Sequence, residues 1–414
     1  MKEMYKILLL LLPVFFFSKT LKVGKNETYK TIKEAIAAAN SGDSILVKQA
    51  VYAEGNILVN KPLTLIGENR PIIDGQNKYE LISVHSDNVV IKGFKLINSG
   101  RHEVKAVAAI KLHESSNSIV TQNIFENNHF GVYNYRGSKN LISHNKIVTN
   151  RGTSQENIGD GIHILSGSEI WVKNNFITGH KDGVYLEKAN RCFIYKNLSR
   201  NNLRYGLHFM FSNDCVYTAN IFDGNNAGVA VMYAMNVGMY ANKFINNWGD
   251  SVFGVLLKDI SYSKIKDNFF ENNTTAIYAD GATKIDFYSN TFEGNGWALK
   301  INSNCMENRI VGNNFIANTF DVSTNGTMVM NDFKKNYWDK YEGYDLDKDK
   351  IGDVPFHPLS VYSVLSEQNP SVMLLFRTFF VDLLERTEKV IPSLTPESFV
   401  DREPLMKPQK SKFF

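Results

Sequence analysis

The stretch NIFDGNNAGVAVMYAMNVGMYANKFINN, residues 220 to 247, holds two copies of one motif: an Asn, a Phe two residues on, and a second Asn three further. Between the copies the residues alternate in the manner of strands and are broken by Gly and Asn. The motif returns as NIFENN at 123, NKIVTN at 145, NNFITG at 174, NLSRNN at 197, NFFENN at 268, NTFEGN at 290 and NNFIAN at 313, with FKLINS at 94 as a degenerate first copy. Most spacings are 22 or 23 residues, and the longer intervals hold inserted loops such as RHEVKAV and RGTSQENIGD.

A period near 22 with three short β runs per unit predicts an all-β solenoid, a right-handed parallel β-helix whose coils stack about 4.8 Å apart. Helical repeats fit worse, because Asn, Gly, Val and Ile are poor helix formers and the runs alternate at period two. The repeated Asn is expected to point inward and hydrogen-bond its counterparts above and below, with Asn220, Asn242 and Asn268 in one stack and the Phe residues in another.

This register assigns faces. A small-residue column runs through Gly161, Gly183, Gly206, Gly228, Gly254, Ala276 and Ala298, followed in every copy by an inward apolar residue. Two outward columns result, His163, Tyr185, His208, Ala230, Leu256 and Leu165, Glu187, Met210, Met232, Lys258.

Residues 1–20 resemble an export signal, with Lys2 and Lys6 before an apolar run from Ile7 to Phe17; no small-x-small cleavage pattern precedes Ser18, so a retained anchor is the alternative. Residues 21–335 are assigned to the repeats, capped by a short amphipathic helix carrying Ile32, Ala35, Ile36 and Ala39. Residues 336–358 form an acidic closing turn. In 359–414 the segment PSVMLLFRTFFVDLLERTEKVIP predicts one helix, and the proline-bearing tail after it an extended or mobile end. Val372, Leu375, Phe376, Phe379, Phe380, Leu383, Leu384 and Val390 can share one face of that helix. Of these, Leu375, Phe376, Phe379, Phe380 and Leu383 are the candidate partner-binding residues.

A formal charge of +4 with no basic run interleaved with aromatics excludes a nucleic-acid footprint. Three cysteines are too few for a disulfide scaffold. Cys192 and Cys215 fall in register on neighbouring coils facing inward, whereas Cys305 has no counterpart.

Met210 and Met232 are expected to be lateral neighbours, with His208 about 7 Å along the strand on the same face. Thioether plus imidazole suits Cu(I), and Met235 in the next turn can join or shuttle; an adaptable protein-binding surface is the alternative. Asp345, Asp347, Asp349 and Asp353 have the alternate spacing of oxygen-ligand calcium loops, although Lys348 and Lys350 stand where such loops prefer Gly or Asn. Many β-helices act on polysaccharides. Asp160 and Asp182, in one column near His163 and His180, leave a carbohydrate-active lyase, hydrolase or epimerase as the alternative class.

RYGLHFMFSND at 204, NNAGVAVMY at 225 and NYWDKYEGYDLDKDKIGDVPF at 336 resemble the NosD family, exported β-helix proteins of nitrous-oxide reductase maturation. The resemblance runs from about residue 24 to the C-terminal helix. It implies a periplasmic copper-handling component, not an enzyme, that works with an ABC-type permease and ATPase and a copper chaperone. Carried over residue by residue, it points to His208, Met210 and Met232. Two departures, KQAVYAE in the first coil and the lysines of the acidic turn, weaken the calcium idea.

Overall fold

Among the described residues, three strands per coil, paired with their equivalents in the coils before and after, build three parallel sheets of 14, 12 and 13 strands. The result is the expected right-handed parallel β-helix. The computed structural model describes residues 18–102, 104–150, 158–326, 330–375, 378–390 and 399–410.

Inside the coils the asparagines form the predicted ladder. Asn197, Asn220, Asn242, Asn268, Asn290 and Asn313 each donate a backbone N–H and an Nδ2–H to the Oδ1 of the next rung, at 2.9–3.0 Å. Each Nδ2 also donates to a backbone carbonyl of the preceding coil, as Asn220 does to Ile194 at 3.0 Å. A buried amide satisfied at every position avoids the cost of an orphaned polar group. A second ladder runs through Asn202, Asn225, Asn247, Asn273, Asn295 and Asn318. Beside them Phe222, Phe244, Phe270, Phe292, Phe315 and Trp338 stack with centroids 4.1 to 5.4 Å apart.

The register differs from expectation at one rung. Asn175, not Asn174, joins the ladder, bonded to Asn145 and Asn197; Ile177 then points inward and Phe176 outward. The doubled Asn leaves the register ambiguous by one residue, and a one-residue slip exchanges the faces of a strand. The small-residue column is steric: a Cβ on Gly206 or Gly228 would lie 2.6 or 2.5 Å from a carbonyl oxygen of the next coil.

α1 (Ile32–Ala38) covers the first coil, held by a Thr31–Glu34 capping box, with Ile32, Ala35, Ile36 and Ala39 buried. The first strand, Thr20–Val23, pairs with Ser44–Val47, so the solenoid begins inside the segment assigned to export. Residues 1–17 lie outside the described residues.

The C-terminal region corrects the sequence reading twice. In place of one helix there are α2 (Val361–Gln368), a 3-10 turn (Pro370–Leu375) and α3 (Phe379–Val390), which folds back so that Glu388 accepts the Val361 N–H at the start of α2. Asn369 ends α2 immediately before Pro370, which cannot continue its hydrogen bonding. Nor is the described tail, 399–410, a free end: it returns to the last coil, where Phe399 and Asp401 are completely buried. One Asp401 oxygen accepts from Asn336 N and Nδ2 (both 3.0 Å) and Trp338 Nε1 (3.1 Å), the other from Lys335 N (3.2 Å). A carboxylate thus occupies the place of the next rung and ends the ladder.

Asp401→Ala leaves these buried donors without acceptors and is expected to cost about 3 kcal/mol or more. Hydrogen exchange should accelerate first in the final coils, because solenoid stability is carried by neighbouring repeats. Unchanged exchange near Asn336 and Trp338 would contradict the capping role.

Candidate functional site

The 12-stranded sheet carries the predicted outward columns. Ile162–Leu165, Asp182–Glu187, Tyr205–Met210, Ala227–Met232 and Phe253–Lys258 pair so that His163, Tyr185, His208, Ala230 and Leu256 lie in one line and Leu165, Glu187, Met210, Met232 and Lys258 in the next. Met210 and Met232 are direct partners across adjacent coils, both partly buried. His208 points outward as expected but does not face water: it is 4% exposed. Tyr185 stacks on its ring at 4.4 Å and 8°, Tyr205 lies at 4.9 Å, and Arg204 flanks it.

Tyr185 ties the donors together. Its ring covers His208 while its hydroxyl donates to Met210 Sδ at 3.4 Å. Burial, with the nearby Glu187 charge, pushes the Tyr185 phenol well above its ordinary range, which keeps it a donor. His208 Nδ1 lies 3.1 Å from Asp182 Oδ2, and its Nε2 is buried without a hydrogen-bond partner. An ionised carboxylate only accepts, so Nδ1 is the nitrogen that carries a proton in this contact, and in the neutral imidazole Nε2 holds the lone pair. Burial alone would raise the Asp182 carboxyl, but Arg204, whose Nε donates at 2.8 Å, and His208 hold it below the ordinary range.

Two coils earlier a carboxylate again holds an imidazole, here within a single coil. His163 Nδ1 meets Asp160 Oδ2 at 2.8 Å, and Nε2 lies 3.7 Å from Glu187 Oε2. Burial would depress the His163 pKa, yet the hydrogen bond to Asp160 and the charge of Glu187 outweigh it and push it up to about 9. The sequence marked Asp160, Asp182 and His163 only as a carbohydrate-active alternative. Here each carboxylate is engaged by a cation or imidazole of its own, which is not the acid-plus-base pair that hydrolysis uses. Arg204 and Tyr185 were missed as site residues; Tyr185 stood in the column already read, but the Arg204 contact crosses coils and has no local signal.

Met235 sits in the turn beyond, 51% exposed, near the stacked pair Phe211 and Tyr233. Both aromatics adopt φ 52, an uncommon conformation for bulky side chains, and remain exposed. Asp345, Asp347 and Asp349 do converge, yet their oxygens accept from backbone N–H groups of residues 349–351, and Lys348 and Lys350 occupy left-handed positions as Gly or Asn would. The three cysteines are free and buried, with Cys192 N–H donating to Cys215 Sγ at 3.4 Å.

Of the partner-binding candidates, Phe379 (80%), Phe380 (57%), Leu383 (49%) and Leu375 (42%) are exposed, and Phe376 lies outside the described residues. Their helix does not present one shared face: Val381 is buried against Phe320 and Tyr362, with Val372 and Leu384 packed beside it. Among the described residues no helix is long and apolar enough to cross a membrane.

An extended β-helix with a sulfur-bearing outward face defines the class, and comparison defines the family. Residues 145–343 match the family described as "Periplasmic copper-binding protein (NosD)", and 18–177 match "Right handed beta helix region". A Pseudomonas aeruginosa protein named "Probable ABC transporter binding protein NosD" is 32% identical over 371 residues, 85% of this chain and 86% of the relative. Its Stutzerimonas stutzeri counterpart of the same name is 28% identical over 374 residues, covering 86% and 85%. The chain belongs to the NosD family. A Yersinia enterocolitica family 28 exopolygalacturonase structure (TM-score 0.58, 12% identity, 77% of this chain and 79% of that one) shares the fold alone.

Because the His163 pKa is raised from 6.5 to about 9, the charged imidazole contributes its full stability below about pH 6.5 and loses it as pH rises toward 9. In metal-free protein the urea midpoint should therefore fall across that window. His163→Gln should flatten the decline; an unaltered slope would place its origin elsewhere.

Proposed function

We propose that this chain carries Cu(I) as cargo on the thioethers of Met210 and Met232 with the imidazole of His208, and that Met235 at the exposed turn makes first contact with arriving copper. One observation carries the reading: two methionines are direct cross-coil partners beside a buried imidazole nitrogen with no partner. Soft sulfur with a borderline nitrogen suits Cu(I) and disfavours Mg2+ or Ca2+. Asp182 supports the fit, since a metal-binding His commonly donates its other ring N–H to a carboxylate. Tyr185 uses one of the two sulfur lone pairs of Met210, leaving the other for metal. Calcium at the acidic turn is the weaker assignment.

In this reading the protein is exported to the periplasm and loaded by a copper chaperone. It docks on the permease of an ABC-type system driven by its ATPase, and supplies the copper sites of nitrous-oxide reductase. The docking element is the helical arm. It leaves the solenoid at Leu359, which bridges to Val322, and the chain returns at Phe399 and Asp401. Both ends are anchored, so the exposed Phe379, Phe380 and Leu383 are presented from a fixed base, and such an apolar patch is a normal partner surface.

Met210→Leu with Met232→Leu nearly conserves volume and should leave the melting temperature almost unchanged. Cu(I) affinity, measured by chelator competition, should fall by roughly a hundredfold, about 2.7 kcal/mol. A folded double variant with unaltered affinity would move the site elsewhere. For the arm, Phe379→Ser with Phe380→Ser should abolish co-purification with the permease while the β-helix circular dichroism signal persists. Truncation at 370 is a poorer test because it also removes Asp401. Retained co-purification of the double serine variant would shift docking to the coils.

A further inference from the structure

We propose that the stacked rings of Phe211 and Tyr233 form the outer wall of the Cu+ station: they screen metal held by Met210 and Met232 from water and competing ligands, and they turn a π face toward it. This assignment rests on copper being held by those two thioethers. It adds two residues that donate no lone pair and that slow the release of the metal.

The first support is a coincidence of position. On this face the residue after the outer column turns the chain in the left-handed conformation, with φ between 49 and 65. Glu114, Arg136, Ser166, Lys188, Asp259 and Gly281 fill that place in neighbouring coils, polar residues or glycine as a solvated left-handed turn favours. Among these coils, aromatic rings stand there only in the two that carry methionine, as Met210 followed by Phe211 and Met232 followed by Tyr233. Both rings remain exposed, at 45% and 41%. Neither backbone preference nor burial in the core accounts for them, and an unfavourable conformation kept at a surface points to function.

The second support is direction. The left-handed residue interrupts the alternation of the strand: Met210 and Phe211 both lie on the outside before Ser212 returns to the interior, and Met232 and Tyr233 do the same before Ala234. Each ring is therefore the chain neighbour of a thioether on the same side of the sheet. Across the coils the Met210–Met232 pair runs parallel to the Phe211–Tyr233 pair, whose ring centroids are 5.1 Å apart with planes 15° from parallel. The sulfur column thus falls between two aromatic covers, Tyr185 over His208 on one side and the stacked pair on the other. Two thioethers and a neutral imidazole supply no negative charge to Cu+. A ring face attracts a cation within about 6 Å, more strongly where water is excluded, and thioethers pack well against rings.

The test uses Cu+ itself, without oxygen, on the full chain. Phe211→Asn with Tyr233→Asn places side chains that tolerate the left-handed turn, so the melting temperature should be unchanged or raised. Cu+ affinity should nevertheless fall by roughly five- to tenfold, and removal of Cu+ by excess chelator should speed up by a similar factor. Tyr233→Phe keeps the ring and should match the parent. With para-fluorophenylalanine in place of Phe211, one equivalent of Cu+ should shift the fluorine resonance, and the shift should vanish when Met210→Leu and Met232→Leu are added. An unshifted resonance, or a parent-like release rate in the double Asn variant, would overturn the wall and leave the rings as a contact patch for protein. Because the dependence of Cu+ binding on the methionines is read separately, the wall can fail while the thioether site stands; full Cu+ binding after Met210→Leu with Met232→Leu would overturn both.

Discussion

A side-chain amide that accepts two hydrogen bonds from the rung before it sets the dimensions of this molecule. With both contacts near 3.0 Å from Asn197 to Asn313, successive coils are held at one rise and one phase. Short strands of three residues would be weak pairing elements alone; the ladder and the aromatic stack beside it remove their freedom to slip. Everything functional on the outside inherits this phase, because outward columns exist only while the inward ones stay aligned.

The outward face of the 12-stranded sheet uses that alignment to bring charged groups into a poorly hydrated place. Asp182 is buried yet ionised because Arg204 and His208 reach it, and such pairing is what permits a buried charge at all. Each imidazole is locked by one ring nitrogen held against a carboxylate, while the other stays buried without a hydrogen-bond partner. Tyr185 links the two halves, touching both rings and the sulfur of Met210.

The far end obeys the same logic. A ladder of amides must finish on an acceptor, and Asp401 supplies it from more than sixty residues beyond Asn336. The helical arm is the chain between, and so its orientation is tied to the last coil instead of depending on a flexible tail.

Period, Asn and Phe spacing, and strand alternation were enough to establish the β-helix, the inward ladder, the two outward columns and the adjacency of Met210 and Met232, because each is a consequence of one repeat length. The doubled asparagines at 174 and 175 could not be resolved from sequence, since either fits the motif and only the facing of Ile177 decides between them. Burial of His208 was also out of reach: alternation assigns a side, whereas cover comes from Tyr185 one coil away and Arg204 at the corner. The break between α2 and α3 and the burial of Asp401 belong to the tertiary structure alone. Apolar periodicity describes a helix face without saying what meets it, and a proline-bearing tail looks mobile until the unfilled acceptor position at the end of the ladder gives it a place to bind.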